Sequence, residues 1–217
     1  MDLKQIPELR EKISWKDRLI HIDMSYNNIL LVLEALNDKE LSEAERATVA
    51  LHRLIEEFED LIPLLQADGN ESLELLYFIL REYVGLSIGT NDNEDEEAEP
   101  PNTERYYDFT IDSELIYASF MQAYGIELFD MHDKLEWRRF LALLSGLPQD
   151  TTFMEVVGYR SMKIPKKDES SEEYIKHVKK MKKKYKLPPI DSELQQKEMD
   201  DKMSMIAKRF DRGNKKE

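Results

Sequence analysis

The sequence predicts a mainly α-helical protein: a helical, bundle-like core with an acidic linker and an extended helical C-terminal tail. Three observations predict it. Apolar residues recur at three- and four-residue spacing in the long segments, capping and terminating residues fall where those patterns start and stop, and alternation at a period of two is confined to one short stretch near the N-terminus. The chain has 217 residues, enough for one domain or two small ones, of which 41% are hydrophobic and 35% charged. Without cysteine it has no disulfide scaffold and no thiol chemistry. The first residues, MDLKQIPELREKISW, carry charges throughout and no apolar h-region, and apolar runs fall short of the ~20 residues that span a bilayer, so a soluble intracellular protein without a membrane role is expected.

The formal net charge of −14 is unevenly placed. From Arg160 onward there are 18 Lys or Arg against 11 Asp or Glu, which leaves 13 against 34 before it, so the body carries −21 and the tail +7. Phosphate contacts need cationic surface, and this division confines any nucleic-acid role to the tail.

Residues 1–86 form an N-terminal helical region that opens with a short strand or hairpin, where Leu19, Ile20, His21 and Ile22 alternate. From Asn27 the pattern is helical through Ile29, Val32, Leu33 and Leu36, and Asn37-Asp38 end it. Ser42-Glu43-Ala44-Glu45 reads as a capping box that starts a helix over about 43–61, with Ala47, Leu51, Leu54, Phe58 and Leu61 on its apolar face. Pro63 is expected to kink or end that helix, and Ala67-Asp68-Gly69-Asn70 to turn the chain into another running through Leu73, Leu76, Tyr77, Leu80 and Val84 to a stop at Gly85.

Residues 87–105 change character. Six acids fall within 92–99, followed by Pro100-Pro101, with no large apolar side chain, which predicts a solvated, disordered linker; alternating Asp92, Glu94 and Glu96 lack the central glycine and spacing of a calcium loop.

The central subdomain, 106–162, is the most densely written part. Thr110 to Ser113 start a helix whose apolar residues are Ile111, Leu115, Ile116, Ala118, Phe120, Met121 and Tyr124, ended by Gly125. A second helix over about 133–145 carries Trp137, Phe140, Leu141 and Leu144 and closes at Gly146-Leu147-Pro148, and Asp150 or Thr151 caps a third bearing Phe153, Val156 and Tyr159. So wide an apolar surface on the first helix is either buried on several sides or awaits a partner.

Residues 163–217 form the basic tail, in which Tyr174, Val178, Met181 and Tyr185, and beyond Pro188-Pro189 the residues Met199, Met203, Ile206 and Phe210, are each spaced four, three, four. Stripes one residue wide suit helices that pack on a single partner.

Chemistry-bearing patterns are sparse. His52 with Glu56, and His132 with Glu136, sit at i, i+4, but two ligands make no metal site and the ordinary reading is helix-surface pairing. No Gly-x-Ser-x-Gly and no glycine-rich phosphate loop occurs, so no catalytic residue, no cofactor, no metal and no small-molecule substrate is assigned, and the protein is not expected to be an enzyme. Lys176, Lys179, Lys180, Lys182, Lys183, Lys184 and Lys186 are the one nucleic-acid candidate, set against a solvated polar face that complements acidic surface.

The residues YDFTIDSELIYASFMQAYGIELFD, LEWRRFLALLSGLPQDTTFMEVVGYR and the later YKLP resemble the phage gene-product-fifteen family, a family of tailed-phage proteins. The likeness rests on Tyr107-Asp108-Phe109, Asp112, Ile116-Tyr117-Ala118-Ser119-Phe120, Tyr124-Gly125-Ile126, Trp137, Phe140, Leu143-Leu144-Ser145-Gly146-Leu147-Pro148 and Gly158-Tyr159-Arg160; it is strong over about 106–160 and looser elsewhere. Glu136-Trp137-Arg138 departs from the family's His-Trp-Trp. The resemblance implies a non-catalytic protein of phages or prophages of Gram-positive bacteria, encoded near the tape-measure gene and similar to tail assembly chaperones that bind tape-measure protein or tail tube subunits in the host cytoplasm. A structural tail or neck component, or a nucleic-acid-binding regulator using the basic helix, are the alternatives, and self-association is compatible with either. Tyr117, Phe120, Tyr124, Trp137, Phe140, Tyr174, Val178, Met181 and Tyr185 are the expected protein-binding residues, with core packing as the competing use of the same side chains.

Overall fold

A computed structural model describes residues 8–67, 71–85, 105–165 and 171–188. The expected turn at Asp68–Asn70, the acidic linker apart from Arg105, and the second tail stripe at Met199–Phe210 lie outside the described residues. The protein is mainly α-helical with one small two-stranded sheet, and its described residues divide into two units.

The first unit comprises residues up to 85 together with 132–141. It begins with the hairpin of β1 (Arg10–Trp15) and β2 (Arg18–Asp23), paired antiparallel with Trp15 opposite Arg18. The loop is Lys16-Asp17, both at positive φ (46° and 63°), the two-residue geometry whose twist matches that of the strands. Alternation sends Ile13, Trp15, Ile20 and Ile22 into the core and leaves Leu19 outside. Helix α1 (Tyr26–Leu36) buries Ile29 and Val32 and ends at Asn37, whose N–H donates to Leu33 and Glu34 carbonyls and whose side-chain amide also donates to Leu33 O at 2.8 Å. Helix α2 (Glu43–Leu54) has the capping box: the Ser42 hydroxyl accepts from Glu45 N, and the Glu45 carboxylate accepts from Ser42 N at 2.8 Å.

The helix expected over 43–61 is instead two. The chain leaves helical geometry at Ile55 (φ −107°, ψ 123°), well before Pro63. The cause is the open edge of β2: Ile55 bridges Ile22, Glu56 N donates to His21 O at 3.0 Å, and His21 N donates to the Glu57 carboxylate at 3.0 Å. Strand-edge pairing replaces one helical turn while Ile55 stays buried. Helix α3 (Phe58–Ala67) then carries Pro63 inside it, facing solvent, so the proline neither starts nor ends the break. Helix α4 (Glu71–Ile79) continues as a π turn, Leu80–Val84, and Gly85 ends it in the left-handed region at φ 76°.

The segment before the next tryptophan belongs to the same unit. Asn27 and Asp133 bond reciprocally, Tyr26 N donates to Leu135 O at 2.9 Å, and Trp137 N donates to Met24 O at 2.8 Å. These bonds use residues 133–136, so helix α6 runs Trp137–Ser145 rather than from 133. Glu136 caps it, accepting from Arg139 N at 3.0 Å. Trp137 and Phe140 stack in the core with Tyr26, and the indole N–H donates to Val84 O at 2.9 Å, a carbonyl of the π turn.

The second unit comprises 105–131 and 142–188. Helix α5 (Ser113–Tyr124) ends at Gly125, φ 65°, and is followed by a 3₁₀ turn, Phe129–Met131. The remainder of α6 leads through Gly146 into α7 (Thr152–Ser161), which packs against both α5 and α8 (Glu172–Lys184). Space at Gly146 is tight, since a Cβ there would lie 3.2 Å from both Ala142 O and the Tyr124 hydroxyl, which itself donates to Leu143 O at 2.9 Å. Through α8 the tail is part of this unit rather than an extended appendage. The helix buries Ile175 and Val178, and Lys182 Nζ donates to the Arg160 and Met162 carbonyls, both at 2.7 Å, at the end of α7. Its buried face is therefore rotated from the expected stripe, and Tyr174 is 48% exposed.

Candidate protein-binding surface

The interior of the second unit is organised by one ion pair. Asp112, at the start of α5, and Arg160, at the end of α7, meet through two bonds, Nη1 to Oδ2 at 2.6 Å and Nη2 to Oδ1 at 2.8 Å. Their side chains are 2% and 8% exposed. The guanidinium also donates to Tyr106 O at 3.0 Å and Tyr185 O at 2.6 Å, and Asp112 accepts from Asp108 N at 2.9 Å. One planar fork thus fixes the chain on entry to α5, the end of α7 and the end of α8. Asp108 completes the entry, its carboxylate accepting from Thr110 N and Ile111 N.

With α5 held this way, Ile116, Ser119 and Phe120 face inward, the Ser119 hydroxyl accepting from Phe153 N at 3.1 Å. The other side is exposed and mixed, carrying Ser113, Glu114, Ala118, Met121 and Gln122; of the large apolar side chains at its two ends, Ile111, in the turn before the helix, is 50% exposed, Met121 40%, and Phe129, on the 3₁₀ turn just beyond, 69%. Tyr117 lies at 5.4 Å from Phe129, ring to ring. A single carboxylate holds this aromatic pair, because Glu127 accepts from the Tyr117 hydroxyl with one oxygen and from Phe129 N, at 3.2 Å, with the other. That hydroxyl bond, with partial burial and the charges of Glu127 and Asp130, pushes the Tyr117 pKa above its ordinary value. From Tyr106 to Met131 the chain has five acids and no Lys, Arg or His. A fixed aromatic pair with a flexible methionine in acidic surroundings is suited to apolar contact with a helix that brings its own cations.

Of the nine expected binding residues, Phe120, Trp137, Phe140 and Val178 are core, each at most 1% exposed, and are not available as surface. Their spacing was also that of a buried face, and packing took it. Tyr117, Tyr124, Met181 and Tyr185 are half-buried, and Tyr174 is exposed. Sequence reading missed Phe129 and Ile111 as surface residues. For Phe129 the available signal was its position beyond Gly125; Ile111 was read as part of the helical repeat, whereas the helix starts only at Ser113.

The α8 lysines Lys176, Lys179, Lys180, Lys183 and Lys184 face solvent, as does Lys186 just beyond the helix, whereas Lys182 is occupied by carbonyls. The expected histidine pairings are replaced. Glu56 pairs with Arg10 at 2.7 Å, His52 lies edge-on to Phe58, Glu136 is buried beneath Arg138, which also reaches Glu11 at 2.6 Å, and His21 is bonded to Glu57. Among the described residues no group of three or more His, Asp or Glu is placed to hold a metal ion, and no helix is long and apolar enough to cross a membrane. An open hollow of about 360 Å³ beside Thr48, Val49, His52, Arg53 and Phe58 brings together one imidazole and one guanidinium but no carboxylate.

The chain matches the family model described as Bacteriophage Gp15 protein over residues 8–187. No curated protein and no solved structure matches it.

Proposed function

This chain belongs to the bacteriophage Gp15 protein family, and from that premise we propose that it is a non-catalytic tail assembly protein, a chaperone that binds tape-measure protein or tail tube subunits in the host cytoplasm while tails are built. The observation that carries the reading is the uneven distribution of exposed apolar side chains. Among the described residues six large ones, Tyr107, Ile111, Met121, Phe129, Ile164 and Tyr174, belong to the second unit, against Leu19 and Leu31 in the first. Exposed apolar side chains of this kind suit transient shielding of another protein's apolar helices. A strong acidic excess keeps such a complex soluble.

Co-expression with the tape-measure protein encoded beside it tests this. The expected result is soluble tape-measure protein that co-purifies with the chain, and absence of the chain from purified particles. Insoluble, unbound tape-measure protein overturns the chaperone reading, and recovery of the chain in particles at fixed stoichiometry favours a structural component. The exposed lysine face of α8 favours a second reading, a nucleic-acid-binding regulator. It requires binding that falls steeply with salt and is lost when Lys176, Lys179 and Lys183 become Gln.

A further inference from the structure

We propose that the hollow beside Thr48, Val49, His52, Arg53 and Phe58 is a docking site for an acidic segment of a protein partner, which inserts a large apolar side chain and sets a neighbouring carboxylate against His52 and Arg53. The inference concerns the first unit alone and stands whether or not the second unit shields tape-measure protein.

The break between α2 and α3 makes the site. His52 and Arg53 fall one turn beyond Thr48 and Val49, so these four residues lie along one side of α2. Because the chain leaves helical geometry at Ile55, Phe58 comes back against this side, and its ring meets the His52 imidazole edge-on with 5.3 Å between centroids. The floor is apolar, since Val49 is half-buried and Phe58 buried, and the Thr48 hydroxyl already donates to Ala44 O at 2.8 Å.

Charge selects the occupant. The carboxylates nearest in sequence are engaged elsewhere, Glu45 by Ser42, Glu56 by Arg10 at 2.7 Å and Glu57 by His21, while Glu59 and Asp60 are exposed on the first turn of α3 and do not line the hollow. Among the described residues no carboxylate pairs with His52 or Arg53. An imidazole and a guanidinium thus stand unneutralised over an apolar floor, in a body that otherwise carries a strong acidic excess. Arg53 can offer a carboxylate two parallel N–H groups from one plane. The volume of about 360 Å³ admits one large side chain with the carboxylate beside it. Sites for free small molecules bury roughly 70–90% of the ligand, which an open hollow does not do, whereas a peptide rests its backbone on the rim.

The test follows the histidine ring resonances of the isotope-labelled full chain by NMR during titration. The probes are the blocked peptide acetyl-Ala-Ala-Phe-Asp-Ala-Ala-amide, the same peptide with Asn in place of Asp, and N-acetyl-L-phenylalanine. The expected result is a saturable shift of His52, half-complete on the order of 0.1–1 mM of the Asp peptide, with His21, His132 and His177 unmoved. The Asn peptide should bind about fivefold more weakly, and Arg53→Gln should weaken the Asp peptide by a similar factor while changing the Asn peptide little. Arg53 is exposed, so its replacement leaves the fold intact, and the other three histidines report that in the same spectra. No shift at about 5 mM peptide, equal movement of all the histidines, equal affinity for the two peptides, or indifference to Arg53→Gln overturns the proposal. If N-acetyl-L-phenylalanine binds as tightly as the Asp peptide, the hollow takes free carboxylates and the assignment to a protein segment falls.

Discussion

Removing the Arg160 side chain tests whether the second unit hangs on the Asp112–Arg160 fork. Arg160→Leu keeps apolar volume but deletes both bonds to Asp112 and the donors to the Tyr106 and Tyr185 carbonyls. Breaking a buried pair by removing one partner costs about 3–5 kcal/mol, chiefly because the remaining charge is stranded. Asp112 retains its bond from Asp108 N, so the lower end, about 3 kcal/mol, is expected. That corresponds to about two decades of lost protection in amide hydrogen exchange across α5 and α7, read by mass spectrometry at peptide level. Arg160→Lys should lose nearly as much, since an ammonium cannot serve two carboxylate oxygens and two carbonyls from one plane. Replacing both Asp112 and Arg160 with Leu removes the stranded charge and should recover part of the loss. A change of less than about 1 kcal/mol for Arg160→Leu, or strict additivity in the double variant, would refute the reasoning.

The first unit offers two tests by denaturation. Asn28→Ala strips the donor from the Asp23 and Arg53 carbonyls, at 3.1 and 3.0 Å, and should cost about 1–3 kcal/mol in a urea titration. Trp137→Phe strands Val84 O and leaves a void, with a cost of about 2–4 kcal/mol by the same measurement. Partial burial opposes ionisation of Glu57, but the His21 N–H and ring outweigh it and hold the carboxyl below its ordinary value of 4.5. The stabilisation is thus present above about pH 4.5 and is lost as pH falls through the depressed value, so wild type should melt above Glu57→Gln at pH 6 and the difference should shrink as pH is lowered through that value. In the second unit, Glu127→Gln should bring the Tyr117 phenol back toward 10.0 in an ultraviolet titration, and a profile unchanged by the substitution would contradict the bond that fixes the aromatic pair.

Local chemistry was legible where a residue's own neighbours decide its conformation. The Ser42 capping box, the Asn37 terminus and the left-handed stops at Gly85 and Gly125 depend on a few consecutive residues, and each lies where the sequence puts it. Tertiary competition was not legible. Nothing between Glu43 and Leu61 marks Ile55 as a break, because the break is made by β2, more than thirty residues earlier. The helix start at Asp133 failed for the same reason, as residues 24–27 claim the backbone of 133–137. Lys16-Asp17 lacks the glycine of the usual two-residue hairpin loop, so the hairpin had to be read from alternation alone. For the candidate surface, apolar spacing marked α5 as widely apolar, but only burial separates Phe120 from Met121, neighbours about 100° apart around the helix.

The density of recognisable residues over 106–160 has a physical explanation that redirects the search for function. Asp112 and Arg160 are the fork, Gly146 makes room for the Tyr124 hydroxyl, Ser119 satisfies the start of α7, and Trp137 satisfies the π turn. All of these are interior requirements, and none leaves a polar group free for a ligand. A pattern dominated by such residues identifies the fold strongly while pointing away from the residues that meet a partner. What remains of the same stretch once the interior is subtracted is short: Tyr107, Ile111, Met121 and Phe129, with the edge of Tyr117. Glu127 holds an aromatic pair in place at the surface, where water would otherwise favour retraction of Phe129, and such preorganisation of an exposed ring stabilises a contact rather than the fold. Phe129→Ser should therefore leave the melting temperature within about 2 °C while weakening capture of a partner helix at least tenfold. If it instead unfolds the second unit, the ring is a structural residue and the surface must be sought elsewhere.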